Sequence, residues 1–307
     1  MTTMFRIGAR GSPLSLTQTG LVQAALAASL GVSVDAVPIQ PIITTGDRIT
    51  DRRLQDAGGK GLFTKELDEA LLDGRIDFAV HSLKDLPTKL PNGIALVATP
   101  AREDARDAFI CRIAERIEDL PIGAKVGTAS LRRQAQVLHK RPDLIVETLR
   151  GNVDTRLRKL EEGVVDATFL ALSGLKRLGL ARHVTSLVDP IEMPPAAGQG
   201  ALAITARTDD ARTLEALAAL NDAATFAAVA AERAFLSALD GSCRTPIAAH
   251  AEVRGGELTF LGEALTADGR RRWRREASGV VRDAEAIGHA EGLSIRAEAG
   301  DALSFDA

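Results

Sequence analysis

One local pattern occurs twice in this chain, and a duplicated pattern leaves few folds open. Leu71-Leu72-Asp73-Gly74-Arg75-Ile76-Asp77-Phe78-Ala79-Val80 ends a helical periodicity at a glycine and enters an apolar strand. Leu160-Glu161-Glu162-Gly163-Val164-Val165-Asp166-Ala167-Thr168-Phe169-Leu170 does the same. Aligned on Gly74 and Gly163, His81-Ser82-Leu83-Lys84-Asp85-Leu86 stands opposite Leu170-Ala171-Leu172-Ser173-Gly174-Leu175. Earlier in each half a strand runs into a helix, Phe5 to Arg10 before Pro13 and Lys125 to Thr128 before Leu131. Strands at Pro41 to Thr45 and Leu144 to Leu149 follow those helices. Two copies of an alternating strand and helix pattern predict two α/β lobes with covered sheets.

The remainder reads as a third, smaller part. Pro194-Pro195-Ala196-Ala197-Gly198-Gln199-Gly200 has the composition of a linker or hinge and leads into a strand, Ala201 to Ala206. An Ala-rich helix is expected from Asp222 to about Leu239, then short strands at Glu257 to Ala264 and Arg271 to Arg275, then a helix from Asp283 to Glu291. The expected division is a first lobe over 1–100, a second over 105–194, and an α+β domain over 222–307. At 307 residues the length suits two or three domains.

Composition excludes more than it identifies. A net charge of −3 gives no global attraction to nucleic acid or anionic membrane. Aromatic residues total 3%, too few for a base-stacking platform. Neither a secretory signal nor an apolar run of about 20 residues is present. These features predict a cytoplasmic, monomeric protein with free thiols, Cys111 lying in the apolar strand Ala108-Phe109-Ile110-Cys111. The five histidines lack metal-ligand spacing, so no metal site is expected. Gly58-Gly59-Lys60-Gly61 lacks the first glycine and the final Ser or Thr of a nucleotide phosphate loop. The run Arg270 to Arg275, which contains Trp273, alternates as a solvated strand would.

Basic charge is nevertheless placed with a pattern. The chain has 30 arginines against 8 lysines, and arginine binds carboxylate or phosphate bidentately. Ser12 and Pro13 form a helix start directly after Arg10. Thr128-Ala129-Ser130 precedes a helix whose first turn holds Arg132 and Arg133, cations that oppose the helix dipole. A bound anion would reconcile them with that position; surface arginines kept for solubility are the alternative. Cys243 lies in Gly241-Ser242-Cys243-Arg244-Thr245-Pro246, a polar turn with a cation beside the sulfur. That setting suits a reactive or modified thiol, the alternative being an inert loop cysteine.

Taken in order, these segments resemble the porphobilinogen deaminase family over nearly the whole chain. The resemblance is carried by Arg10-Gly11-Ser12-Pro13-Leu14, Gly58-Gly59-Lys60-Gly61-Leu62-Phe63, Val80-His81-Ser82-Leu83-Lys84-Asp85 and Ser130-Leu131-Arg132-Arg133-Gln134. It continues through Leu149-Arg150-Gly151-Asn152-Val153, Gly174-Leu175-Lys176-Arg177-Leu178-Gly179, Gly198-Gln199-Gly200-Ala201 and the Cys243 turn. It implies two lobes like those of periplasmic binding proteins, with 201–218 returning to the first lobe over 1–100, plus a small C-terminal α+β domain. It also implies a dipyrromethane cofactor held by a thioether to Cys243. Four porphobilinogen molecules would lose ammonia in turn, extend that primer, and leave as a linear tetrapyrrole passed to the next pathway enzyme.

The resemblance assigns residues as well. Lys84, Thr128, Ser130, Arg132, Arg133 and Arg156 would bind the cofactor. Arg10, Ser12, Gln18, Phe63, Arg150, Arg177 and Gln199 would bind substrate. Asp85 matches the catalytic aspartate, an anion for the cation left when ammonia departs. Three positions depart from the family pattern: Asp56 stands where a basic residue is common, Thr45 in place of an Arg, and Ala129 in place of a Ser. Asp56 is expected to weaken anion capture by its loop. A rival reading is a two-lobed sensor for a small dicarboxylate that uses the same helix-terminus sites, with Cys243 incidental.

Overall fold

The computed structural model describes residues 3–48, 61–241 and 245–303. Strand β1 (Ile7–Arg10) leads into α1 (Pro13–Leu30), whose start is set by the Ser12 side chain accepting the Ser15 N–H at 3.3 Å. Gly31, at φ 66°, closes α1 in the left-handed region that glycine adopts without steric cost. There follow β2 (Ile39–Ile42), the single turn α2 (Thr45–Arg48), α3 (Lys65–Leu72), β3 (Phe78–Ser82) and β4 (Ile94–Ala98). The second half supplies β5 (Asp107–Cys111), β6 (Lys125–Gly127), α4 (Leu131–Lys140), β7 (Ile145–Glu147), α5 (Val153–Glu161), β8 (Ala167–Ala171), α6 (Leu172–Arg177) and β9 (Ser186–Leu187). Then come β10 (Leu202–Arg207), α7 (Ala211–Ala218), α8 (Ala223–Ala238), β11 (Ile247–Arg254), β12 (Glu257–Leu265), β13 (Arg272–Val280) and α9 (Ala284–Ala299).

The chain divides into two compact units, Met1–Glu103 with Ala201–Phe226, and Asp104–Gly200 with Ala227–Ala307. The first holds a five-stranded sheet in the order β2-β1-β3-β10-β4, the second one in the order β7-β6-β8-β5-β9. In each, the first three strands of that order are parallel and the fourth runs antiparallel to both neighbours. The repeat therefore extends to atoms. Asp77 exchanges backbone and side-chain hydrogen bonds with the backbone of Arg6, and Asp166 does the same with Lys125. Gly74 and Gly163, at φ 68° and 73°, end the preceding helices in matching left-handed turns.

A third sheet, β11-β12-β13, lies in the second unit and is packed by α8 and α9 around Phe235, Phe260 and Trp273. Among the helices of the described residues, none is by itself long and apolar enough to cross a membrane. The arginines of β13 are engaged locally: Arg274 with Glu276 at 3.0 Å, Arg275 with Glu298, and Arg271 4.7 Å above the Trp273 ring. The segment expected to be a hinge differs from that expectation. Met193 to Gly200 is almost wholly buried, with Pro195 O accepting from Ala249 N and Glu232 accepting from Gly198 N at 2.6 Å. Its prolines and glycines permit a close fit against β11 rather than free motion.

Candidate active site

In the first unit the ends of β1 and β3 and the start of α1 surround a small open pocket. Arg10, Ser12, Gln18, Phe63, His81 and Asp85 all line it. The apolar residues of β1 bury their side chains, which leaves Arg10 at the strand end, where the pocket opens. The Arg10 guanidinium lies 4.0 Å from the Phe63 ring centre and 3.9 Å from an Asp85 oxygen. Its strongest partner is Asp47, which pattern reading had passed over. Burial pushes the Asp47 carboxyl up, but hydrogen bonds from Arg10 and Thr44 outweigh it and hold the group below its usual range. Gln18 and Ser82 bond each other at 3.0 Å. Lys84 and Asp85 sit on the 3₁₀ turn that ends β3.

His81 is buried beside this pocket, its Nε2 3.1 Å from Thr205 Oγ1. Burial, with the Arg10 charge adding, lowers it to about 4. The unfolded chain titrates near pH 6.5 at this residue and so binds more protons between those values. Its stabilising contribution is complete above about pH 6.5 and is lost as the pH falls through about 4, a span worth about 3 kcal/mol. Asp68, raised to about 6 mainly by burial, acts in the opposite sense, losing its contribution as the pH rises through that value. Urea unfolding of His81→Asn is therefore expected to show a flatter rise in stability between pH 4 and 6.5 than the parent chain. Equal slopes would remove His81 as the source.

In the second unit, α4 begins at Ser130, whose Oγ accepts the Arg133 N–H at 3.4 Å, while Thr128 Oγ1 accepts from Ser130 N at 3.0 Å. Arg132 and Arg133 turn inward, 4% and 6% exposed, and both reach Asp107 at the start of β5. An internal carboxylate thus reconciles these cations with a helix N-terminus, a partner that spacing alone had not revealed. The available signal was a lone Asp opening the apolar strand Asp107-Ala108-Phe109-Ile110. Burial pushes Asp107 up, yet the two guanidinium charges hold it far below the carboxylate range. Gln199 also donates to it at 2.8 Å, and Arg177 donates to Gly200 O at 2.8 Å.

Beside that pair lies positive charge with less compensation. Burial, then the charges of Arg133 and Arg150, lowers Arg156 to about 10. Arg150 Nη1 and Arg132 Nε are buried with no hydrogen-bond partner among the described residues. Among the described residues no carboxylate pairs with Arg150 or Arg156, and a polycarboxylate would supply one. Among the departures, Thr45 gives its N–H and hydroxyl to Glu66, and Ala129 is exposed. Asp56, Lys60 and Cys243 lie outside the described residues.

Comparison with known proteins follows this geometry. Residues 5–215 match the family model described as porphobilinogen deaminase, dipyromethane cofactor binding domain, and residues 226–297 match the model for the porphobilinogen deaminase C-terminal domain. The chain is 58% identical over 309 residues to the porphobilinogen deaminase of Caulobacter sp. (strain K31), covering 97% of each. It is 57% identical over 312 residues to that of Phenylobacterium zucineum (strain HLK1), again covering 97% of each. Among solved structures it is similar to the methionine binding protein MetQ, with a TM-score of 0.45 and 13% identity over 70% of this chain and 88% of that one. A periplasmic substrate-binding protein of a Coxiella burnetii ABC transporter gives a TM-score of 0.43 and 17% identity over 71% and 92%.

Proposed function

Because this chain belongs to the porphobilinogen deaminase family, we propose a division of labour among its residues in that family's reaction. The enzyme is a transferase of tetrapyrrole synthesis, hydroxymethylbilane synthase. It removes ammonia from four porphobilinogen molecules, joins them head to tail on a covalent dipyrromethane, and releases hydroxymethylbilane by hydrolysis. Family membership sets aside the reading as a dicarboxylate sensor.

The observation that carries the proposal is the crowding of Arg133, Arg150 and Arg156, with an Arg150 N–H buried and unpartnered among the described residues. Each pyrrole ring of substrate and cofactor bears two carboxylates, so this donor set fits a dipyrromethane. When bound, that group supplies the nucleophilic pyrrole carbon that begins the chain. Cys243 holds it through a thioether, and Lys84, Thr128, Ser130, Arg132, Arg133 and Arg156 bind its side chains. Arg10, Ser12, Gln18, Phe63, Arg150, Arg177 and Gln199 receive the incoming porphobilinogen. Asp85 accepts pyrrole N–H bonds and stabilises the cation formed as ammonia leaves.

The compact unit Met1–Glu103 with Ala201–Phe226 supports a first lobe over 1–100 with 201–218, and the break between the two family models, at 215–226, supports a cysteine-bearing domain over 222–307, which leaves 105–194 as the second lobe. In the same reading the enzyme is a cytoplasmic monomer that hands its product to the next enzyme; a reducing compartment keeps the Cys243 thiol available.

Mass spectra of the intact variants test the division. Arg132→Gln and Arg156→Gln are expected to remain mostly without cofactor. Arg10→Gln and Arg150→Gln should carry it and stall during elongation. Identical ladders of intermediates in all four would overturn the assignment.

A further inference from the structure

Asp107 is fully enclosed in the second unit, and each of its oxygens receives two donors. Oδ2 accepts from Arg132 Nη2 at 2.8 Å and Arg133 Nε at 3.2 Å. Oδ1 accepts from Arg133 Nη2 at 2.7 Å and Gln199 Nε2 at 2.8 Å. The Nη1 groups of both arginines are braced too. Arg133 Nη1 donates to Phe169 O at 2.8 Å, and Arg132 Nη1 donates to Gln136 Oε1 and Pro194 O, each at 2.9 Å. Gln136 in turn donates to Glu263 on β12 at 2.9 Å, a carboxylate only 1% exposed. A strut therefore runs from the C-terminal sheet through Gln136 to one of the two arginines.

This is an uneconomical way to hold a fold together. Buried ion clusters of this kind are commonly replaced by apolar residues at no loss of stability, because desolvation offsets the attraction. Here one carboxylate is shared by two guanidiniums, the Glu263 charge also acts on Arg132, and Arg132 Nε has no partner among the described residues. The arrangement instead keeps two mutually repelling cations adjacent and fixed in orientation before any ligand arrives. Preorganisation of that kind lowers the cost of capturing an anion.

We infer that Asp107 is a positioning residue for cofactor capture, holding Arg132 and Arg133 as one receptor with Gln136 as the strut on Arg132. The inference rests on the reading that these arginines take cofactor carboxylates. Asp107→Asn keeps the shape and can still accept from Gln199, but it loses the charge between the guanidiniums. Gln136→Met removes the strut and changes no charge.

Cofactor-free protein of each variant would be incubated with porphobilinogen, and the mass increment of two linked pyrroles followed with time. Urea unfolding of the same samples would report the fold. Asp107→Asn is expected to gain the increment on the order of ten- to a hundredfold more slowly, as misplacing an oriented group does. Gln136→Met should slow in the same direction by less, and a single cooperative unfolding transition, at a midpoint lowered by the unpaired Glu263, would show that it still folds. Asp107→Glu should recover part of the rate, a rescue that a purely structural role would not produce.

Should Asp107→Asn fail to fold, Gln136→Met decides the matter alone. Normal loading by Gln136→Met, and by Asp107→Asn where it folds, alongside failed loading by Arg132→Gln and Arg133→Gln, would overturn the role of Asp107 and leave the arginine reading intact. Normal loading by the arginine variants themselves would overturn the reading beneath it.

Discussion

Asp85→Asn is expected to yield a folded enzyme that carries its cofactor and turns over at least about a hundredfold more slowly, a loss of roughly 3 kcal/mol in transition-state stabilisation. Asparagine nearly matches aspartate in size, so the 3₁₀ turn Leu83–Asp85 has no reason to move. What disappears is a negative charge in a pocket whose other charged neighbour is the Arg10 guanidinium, 3.9 Å away. The departing ammonia leaves a cation, and a fixed carboxylate stabilises it without reorganising at that moment. Asparagine retains an acceptor for a pyrrole N–H but not the charge, so binding should suffer less than turnover. Single-turnover rates and the cofactor mass increment, measured on one preparation, separate the two effects. Near-normal turnover with cofactor in place would move the catalytic role to another residue.

Cys243→Ser is expected to abolish both the mass increment and the activity. The parent chain should exceed its sequence mass by two linked pyrrole units, and the variant should weigh what its sequence predicts. A serine hydroxyl ionises far less readily than a thiol and is the weaker nucleophile. The other cysteine offers a poor alternative. Cys111 ends β5 half-buried, with its Sγ donating to Asp166 O at 3.2 Å. An adduct on Cys111, or an undiminished increment in Cys243→Ser, would overturn the attachment site.

Much of this architecture was legible because its signals are local. Ser12 with Pro13, and Ser130, mark helix starts through bonds that span three residues. Gly74 and Gly163 mark helix ends through their own φ angles. The duplicated α/β pattern followed from such signals, with strand ends misjudged by one to three residues, as at β1, β2 and β7. Residue types also carried the polyanion chemistry, since arginines grouped near helix starts are readable in any alignment of motif to fold.

Partners across long separations were not legible. Asp47 meets Arg10 from 37 residues away, and Asp107 meets Arg132 and Arg133 from 25 and 26. The antiparallel placement of β10 between β3 and β4, within a return to the first lobe that only the family resemblance implied, and the burial of Met193 to Gly200 belong to the same class. Local sequence thus determined where helices and strands begin and which side chains bring charge. Tertiary structure alone decided which charges are neutralised internally and which remain for a ligand. Ion pairing between elements has no period along the chain; it exists only once strand order brings the groups within a few ångströms, where burial strengthens it.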